Sequence, residues 1–175
     1  AQDYPSKPIR LIVPFAAGGP ADLFARIYGP ALATRLNTTV VVENRAGAGG
    51  VNGIDVVAKS AKDGYTIGLS GPGALVAAPF MMDKFPFDVL RDLQPVTMAA
   101  LTPTCIVVAN QTGIKSMKDL VAFAKANPGK ISIASAGAGT LTHLAVELFK
   151  LDQGLNMVHV PYKGAAPAMV DLQAG

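Results

Sequence analysis

Residues 133–145 read IASAGAGTLTHLA. A β-type run over 131–135 stops in a loop of small residues, and a helical pattern resumes at Thr140. The loop holds Gly137 and Gly139, and no lysine follows them. A near copy, NRAGAGGVNG, occupies residues 44–53, and a third version, PFAAGGPADL, occupies residues 14–23. Three strand-type runs therefore end in glycine-rich loops, and none of these loops carries an obvious catalytic side chain.

Working outward, strand and helix patterns alternate. The apolar run at 9–13 ends at Pro14 and reads as a buried strand. Leu23, Phe24, Ile27, Tyr28, Ala31 and Leu32 then recur at helical spacing, with Asp22 as the expected N-cap. Pro30 is expected to kink or restart that helix. Residues 38–44 and 65–70 read as strands, with a short helix over 51–60 between them. Residues 71–92 are broken by Pro72, Pro79 and Pro86. Residues 94–100 and 104–109 read as two further strands. Ser116 and Asp119 form a capping box for a helix over 117–126, which Asn127-Pro128-Gly129 stops. A strand over 131–135 leads to a helix over 140–150, with Leu141, Leu144, Ala145, Leu148 and Phe149 expected inward. Gly154 ends that helix. A strand over 157–162 and a helix from 166 follow. The class is α/β with mostly parallel sheets. The irregular stretch at 71–104 is the expected boundary between a first lobe, 1–100, and a second, 101–175.

In open parallel sheets, ligands bind at the carboxyl ends of strands. Helix N-termini there offer unpaired N–H groups and a positive dipole end, and glycine lets a ligand approach the backbone. Such a site suits an anion without a charged side chain. Other chemistry fits less well. No Gly-Lys-Ser/Thr completes a P-loop. Gly47, Gly49 and Gly53 give a loose dinucleotide pattern, but the strand at 65–70 ends without the acidic residue that would hold a ribose. Residues 68–72, GLSGP, resemble a nucleophile elbow and fail at Pro72. The two histidines, His143 and His159, are not spaced as a metal pair, and no carboxylate is expected beside either. No metal and no cofactor is expected. His143 falls in the first turn of its helix, where it either donates to a ligand or packs locally. His159, mid-strand, reads as structural.

Composition sets the remaining limits. The chain has 175 residues, of which 50% are hydrophobic and 15% charged, which suits a packed core. Its net charge is +3 and its basic residues are scattered, so no nucleic-acid partner is expected. No apolar run approaches the roughly 20 residues of a membrane span. The single cysteine, Cys105, reads as a small core residue in a buried strand. The start, AQDYPSKPIRLIV, lacks an initiator Met and is expected to follow a removed signal peptide.

The stretches YPSKPIRLIVPFAAGGPADLFAR, VVVENRAGAGG, AKDGYTI, SAGAGTLTHL and VPYKGAAPAMVDL together resemble the extracytoplasmic solute receptors of tripartite tricarboxylate transporters, the Bug-type proteins. They span the chain in the family's order. The resemblance implies a two-lobe α/β periplasmic binding protein fold of type II, a Venus flytrap. It implies a periplasmic receptor, not an enzyme, that holds a small carboxylate and delivers it to membrane permease subunits. An α/β enzyme acting on a carboxylate is the alternative. Carried over from the family, the first-lobe contacts are Phe15, Ala16, Ala17, Gly18 and Gly19; Asp22, read from the residues alone, is a further ligand-binding candidate that either holds a ligand amine or caps its own helix. Ser70 and Gly71 close the third strand. The second-lobe contacts are Ser135, Ala136, Gly139, Thr140 and Thr142, with His143. Ala46 stands where the family carries proline, and Ala138 and Leu141 stand where polar residues are frequent. Family chains continue past VDLQAG, so the chain is expected to be a truncated form lacking the segment that completes both lobes.

Overall fold

The computed structural model describes residues 4–175. β1 (Ile9–Val13) lies centrally in a three-stranded parallel sheet, between β2 (Val40–Asn44) and β3 (Thr66–Gly68). A strand covered on both faces needs apolar residues throughout, and Ile9, Ile12 and Val13 are fully buried. The crossovers are α1 (Pro20–Leu36) and α2 (Val51–Ala58). Arg10 on β1 donates Nε and a second guanidinium nitrogen to the Glu43 carboxylate on β2, at 2.6 and 2.9 Å. That bidentate contact, helped by Arg45, holds the Glu43 carboxyl down to about 2.

A π-helical turn, Gly73–Ala77, runs into α3 (Ala78–Met81), and α4 (Val89–Asp92) follows. Ala74, Ala78 and Phe87 close a core against Val51 and Ile54 of α2. Farther along, α5 (Met117–Ala126) leads to a second, two-stranded parallel sheet of β4 (Ser132–Ser135) and β5 (Val158–Pro161). α6 (Leu141–Gln153) crosses between them, and α7 (Ala165–Ala174) follows β5. Leu120, Ala124, Leu155 and Met157 form the core of this unit. The alternation read from the sequence is thus present as two parallel sheets, each with its own core. Among the described residues, no helix is long and apolar enough to cross a membrane.

Several local expectations are corrected. Residues 93–109 contain no strand, and Cys105 is exposed. Their β-type composition finds no neighbouring edge among the described residues, and propensity alone forms no ladder. Tyr28 donates to the Ala99 carbonyl at 2.7 Å, a side-chain tie on this extended stretch. α1 starts at Pro20 with Gly19 as its N-cap, so Asp22 lies inside the first turn. The helix also runs through Pro30 without a break. Gly29 explains this, because a Cβ before proline would clash with the ring and glycine has none. The face of α1 turned to the sheet is Asp22, Ala25 and Gly29, while Leu23, Ile27 and Tyr28 are exposed. On α6 the buried residue is Val146, and Leu141, Leu144 and Leu148 are exposed. The other boundary signals act as read. Ser116 accepts from Asp119 N at 3.1 Å, while Asp119 reaches back to Lys115 N. Gly154 closes α6 in the left-handed conformation.

Gly53 tests how rigidly α2 is seated. A Cβ there would lie 2.7 Å from Pro14 Cα and 2.9 Å from the Arg45 carbonyl oxygen, both main-chain atoms. Gly to Ala in a helix ordinarily gains up to about 1 kcal/mol. Here overpacking should reverse the sign, so Gly53→Ala should lower stability by about 1–3 kcal/mol. Urea unfolding decides it: an unchanged or raised midpoint would mean that the α2–β1 contact yields easily.

A candidate ligand site between the two sheets

All the glycine-rich loops leave the carboxyl ends of parallel strands, and the structure turns them toward one another. Ala16 N donates to the Lys163 carbonyl at 2.9 Å, joining the loop after β1 to the loop after β5. A Cβ on Gly73 would lie 2.8 Å from both Gly139 O and Thr140 Cα. One on Gly49 would run into the Ala138 carbonyl oxygen. A cleft of about 220 Å³ remains between these loops. It is lined by Phe15, by residues 47–50, by residues 136–138 and by residues 161–163.

Helix starts converge on this junction. Gly19, the N-cap of α1, sits where a Cβ would lie 3.9 Å from Ala166 N and 4.0 Å from Ala165 N, at the start of α7. The loop before α2 meets the loop before α6 at Gly49 and Thr140. Four helix starts, each a positive dipole end, therefore gather at this junction. The nearest carboxylate in the first loop is already neutralised. Asp22 is buried and accepts from Arg26 Nε and Gly18 N, both at 2.9 Å, and from Asn44 Nδ2 at 3.0 Å. The Arg26 guanidinium first, then the Gly18 amide, holds its carboxyl down to about 2. Asp22 shapes the loop, and both of its oxygens are occupied in doing so.

The second loop is built in the same way. Thr140 caps α6: its Oγ1 donates to Gly137 O at 2.6 Å and accepts from His143 N at 3.4 Å. Thr142 Oγ1 accepts from Ala136 N at 3.1 Å and meets Thr140 Oγ1 at 2.9 Å. Ser135 Oγ bonds the Gly137 backbone and lies 2.7 Å from His159 Nε2. Gly139 N donates to His143 Nδ1 at 3.1 Å. Most amides of this loop are thus consumed in fixing the loop itself, and that of Ala138, which lines the cleft, keeps no protein partner among the described residues. In the other loops the amides of Ala17 and of residues 47–49 are likewise without one.

Of the residues singled out in the sequence, Phe15 and Ala136 line the cleft directly. Ala16, Gly18, Gly19, Ser135, Gly139, Thr140, Thr142 and His143 shape or support its walls, and Ala17 is exposed beside them. Ser70 is exposed and Gly71 has open space around it, and neither lines the cleft. The sequence reading noticed the loop after β2, residues 44–53, but put none of its residues in the site, and it missed residues 161–163 altogether. The first omission had a signal in the repeated glycine pattern. The second had none, since Pro161, Tyr162 and Lys163 reach the cleft only because β5 pairs with β4.

His159 is more than a mid-strand filler. Its ring stacks on His143 with centroids 4.1 Å apart, and the Glu147 carboxylate lies beside the pair. The expectation that no carboxylate lies beside either histidine is corrected: Glu147 follows His143 by one turn of α6 and lies on the same face.

Comparison with known proteins agrees with this geometry. The model of the family described as "Tripartite tricarboxylate transporter family receptor" matches residues 24–175. Protein BugT of Bordetella pertussis is 44% identical over 176 residues, covering 100% of this chain and 54% of the relative. The solved periplasmic binding protein BugD is 36% identical with a TM-score of 0.85, covering 97% of this chain and 56% of that one. MatC from Rhodopseudomonas palustris with bound malate is 27% identical with a TM-score of 0.89, covering 97% and 57%. The chain spans about half the length of the relatives that it matches. Its fold is that of the two-lobe periplasmic binding proteins, and the chain belongs to the tripartite tricarboxylate transporter receptor family.

Proposed function

We propose that this chain is the carboxylate-binding part of a periplasmic receptor that hands a small organic acid to membrane permease subunits. One observation carries the reading: four helix starts and three glycine-rich loops meet around one cleft that no carboxylate lines among the described residues. Such a site favours an anion and holds it with amides, and Lys163 adds a cation to the lining. Relatives add weight, since the family is one of transporter receptors and MatC was solved with malate. The reading makes the chain a binding protein and not an enzyme, in line with the solute-binding character of the family and its structural neighbours. It assigns residues 1–100 to one lobe and 101–175 to the other, so that the cleft lies where the lobes close. The amides of Ala17 and Ala138, the Phe15 ring and the loop at 47–50 are the first groups that we assign to the ligand. The residues from Gly18 to Asp22 and from Ser135 to His143 hold those groups in place.

Thermal shift of the protein in its natural length, against malate, aromatic carboxylates and amino acids, tests the class. A ligand at about a hundred times its dissociation constant should stabilise by about 2.7 kcal/mol. Stabilisation by phosphate or a nucleotide, and by no carboxylate, would remove the reading.

Gly19→Val should act on binding more than on folding. A Cβ there makes only ordinary contacts, the nearest at 3.7 Å to Ala16 O, but the added methyls would cover the starts of α1 and α7. Affinity for the best acid should fall at least about tenfold, or about 1.4 kcal/mol, with little change in urea unfolding. Calorimetry showing wild-type affinity would take the first loop out of the site. Thr140→Ala, by contrast, removes a cap and should cost the free protein about 1 kcal/mol, read by the same unfolding measurement.

A further inference from the structure

Two imidazoles hold the two ends of the second loop. His143, in the first turn of α6, takes the Gly139 amide on Nδ1 at 3.1 Å. An acceptor nitrogen carries no proton, so the neutral ring bears its hydrogen on Nε2. That nitrogen faces Glu147 Oε1 at 3.8 Å, one helical turn on. His159, on β5, holds the start of the loop through Ser135 Oγ at 2.7 Å. The rings stack at 26° with centroids 4.1 Å apart, so the two ends of the loop are braced through one contact. Between them lie residues 136–138, which line the cleft and press on Gly49.

The charged groups around the pair are few. From α6 come Glu147 and Lys150, whose Nζ lies 2.9 Å from both Glu147 oxygens. β5 contributes only His159 itself, and β4 presents the neutral Ser135 hydroxyl. Glu147 is thus shared between a lysine and the imidazoles. Burial first, and then the neighbouring His143, push His159 below its ordinary value. A second positive charge in the stack would stand close to Lys150 as well.

We propose that His143 and His159 are positioning residues of the cleft that act as a proton-sensitive latch on the loop between Ser135 and Thr140. With both rings neutral, His143 Nδ1 holds Gly139 and the loop keeps the shape that presents Ala136 and Ala138. A solvent proton taken up on Nδ1 turns the acceptor into a donor facing another donor, and Gly139 is released. The inference rests on the carboxylate-receptor reading for its consequence, a loss of ligand affinity on acidification. The sign follows from linkage. His159, held below its ordinary value by burial and then by His143, binds protons less readily in the folded form. Its contribution is therefore full above about 6.5 and is lost as pH falls below that value.

The same side chains also bring three potential metal-binding atoms within 4.8 Å of one another. His143 Nδ1, His159 Nε2 and the Glu147 carboxylate are engaged with Gly139, Ser135 and Lys150, and the two rings stack face to face. The arrangement favours the proton over a metal ion.

The test uses the receptor in its natural length, isotopically labelled, without ligand and then with malate. Imidazole nitrogen spectra at pH 8 should show His143 protonated on Nε2. Exchange protection of the Gly139 amide should fall about tenfold between pH 8 and pH 5.5. His143→Asn places an amide oxygen where Nδ1 stood, so it should keep Gly139 protected and make that protection independent of pH. Malate affinity should weaken about tenfold over the same range in wild type. In His143→Asn it should stay level, apart from the ligand's own titration, which that variant measures. A proton on Nδ1 at pH 8, or Gly139 protection that ignores pH, overturns the latch while leaving malate binding intact. Zinc binding that His143→Asn abolishes also overturns it, in favour of a metal site. Conversely, pH-linked protection of Gly139 with no carboxylate bound at pH 8 supports the latch and removes only the carboxylate reading.

Discussion

Main chain lies directly against main chain where the loops of the two sheets meet, and the rest of the site follows from that approach. At Gly49 and Gly73 there is no room for a β-carbon, because the carbonyls of Ala138 and Gly139 occupy the place it would take. At Ala16 the contact becomes a hydrogen bond to the Lys163 carbonyl. At those two glycines no side chain of any length could be accommodated without separating the sheets. The loops are glycine-rich because the two units must touch through their backbones. This supplies a use for three such loops that need neither a nucleotide nor a nucleophile.

Close approach of the loops also concentrates helix starts. α1 and α7 begin beside each other, as do the loops leading into α2 and α6. Polar side chains in the seam then serve the backbone. Asp22 ties Gly18 to Arg26 and Asn44, Thr140 ties Gly137 to the first turn of α6, and Ser135 ties Gly137 to His159. Each of these side chains is buried and each is satisfied, as buried polar groups must be. Two carboxylates near the loops, Asp22 and Glu147, are paired with Arg26 and Lys150, which reduces their opposition to the field of the helix starts.

The lengths of the elements match this economy. α2 is short, yet its seat is rigid because Gly53 rests on Pro14 and the Arg45 carbonyl. The second sheet has only two strands, and its core draws on α5 and on the chain after α6. Stability is local to each unit, while the contacts between units are made by loops. That division places the cleft where relative movement costs the least packing.

The alternation of strand and helix, the boundaries at Ser116, Asn127 and Gly154, and the three glycine loops were all legible in the sequence, because each depends on near neighbours in the chain. Hydrophobic period, capping chemistry and backbone freedom act over a few residues. The membership of the family was legible for a related reason: its motifs lie in those same loops. Other features needed the folded chain. Residues 94–100 and 104–109 have the composition of strands but find no edge to join, and pairing is a property of the partner. The exposed Leu23 and Ile27 show that a helix is oriented by what it meets, here through Gly29 lying close to Val40 and Val42. His143 and His159, sixteen positions apart in the sequence, become a stacked pair with Glu147 only because the β4–α6–β5 crossover returns the chain to the same sheet. The residues at 161–163 reach the cleft for the same reason. The sequence by itself determined which segments could end in an amide-rich loop; which loops face each other, and which side chains brace them, was decided by the parallel pairing of the strands behind them.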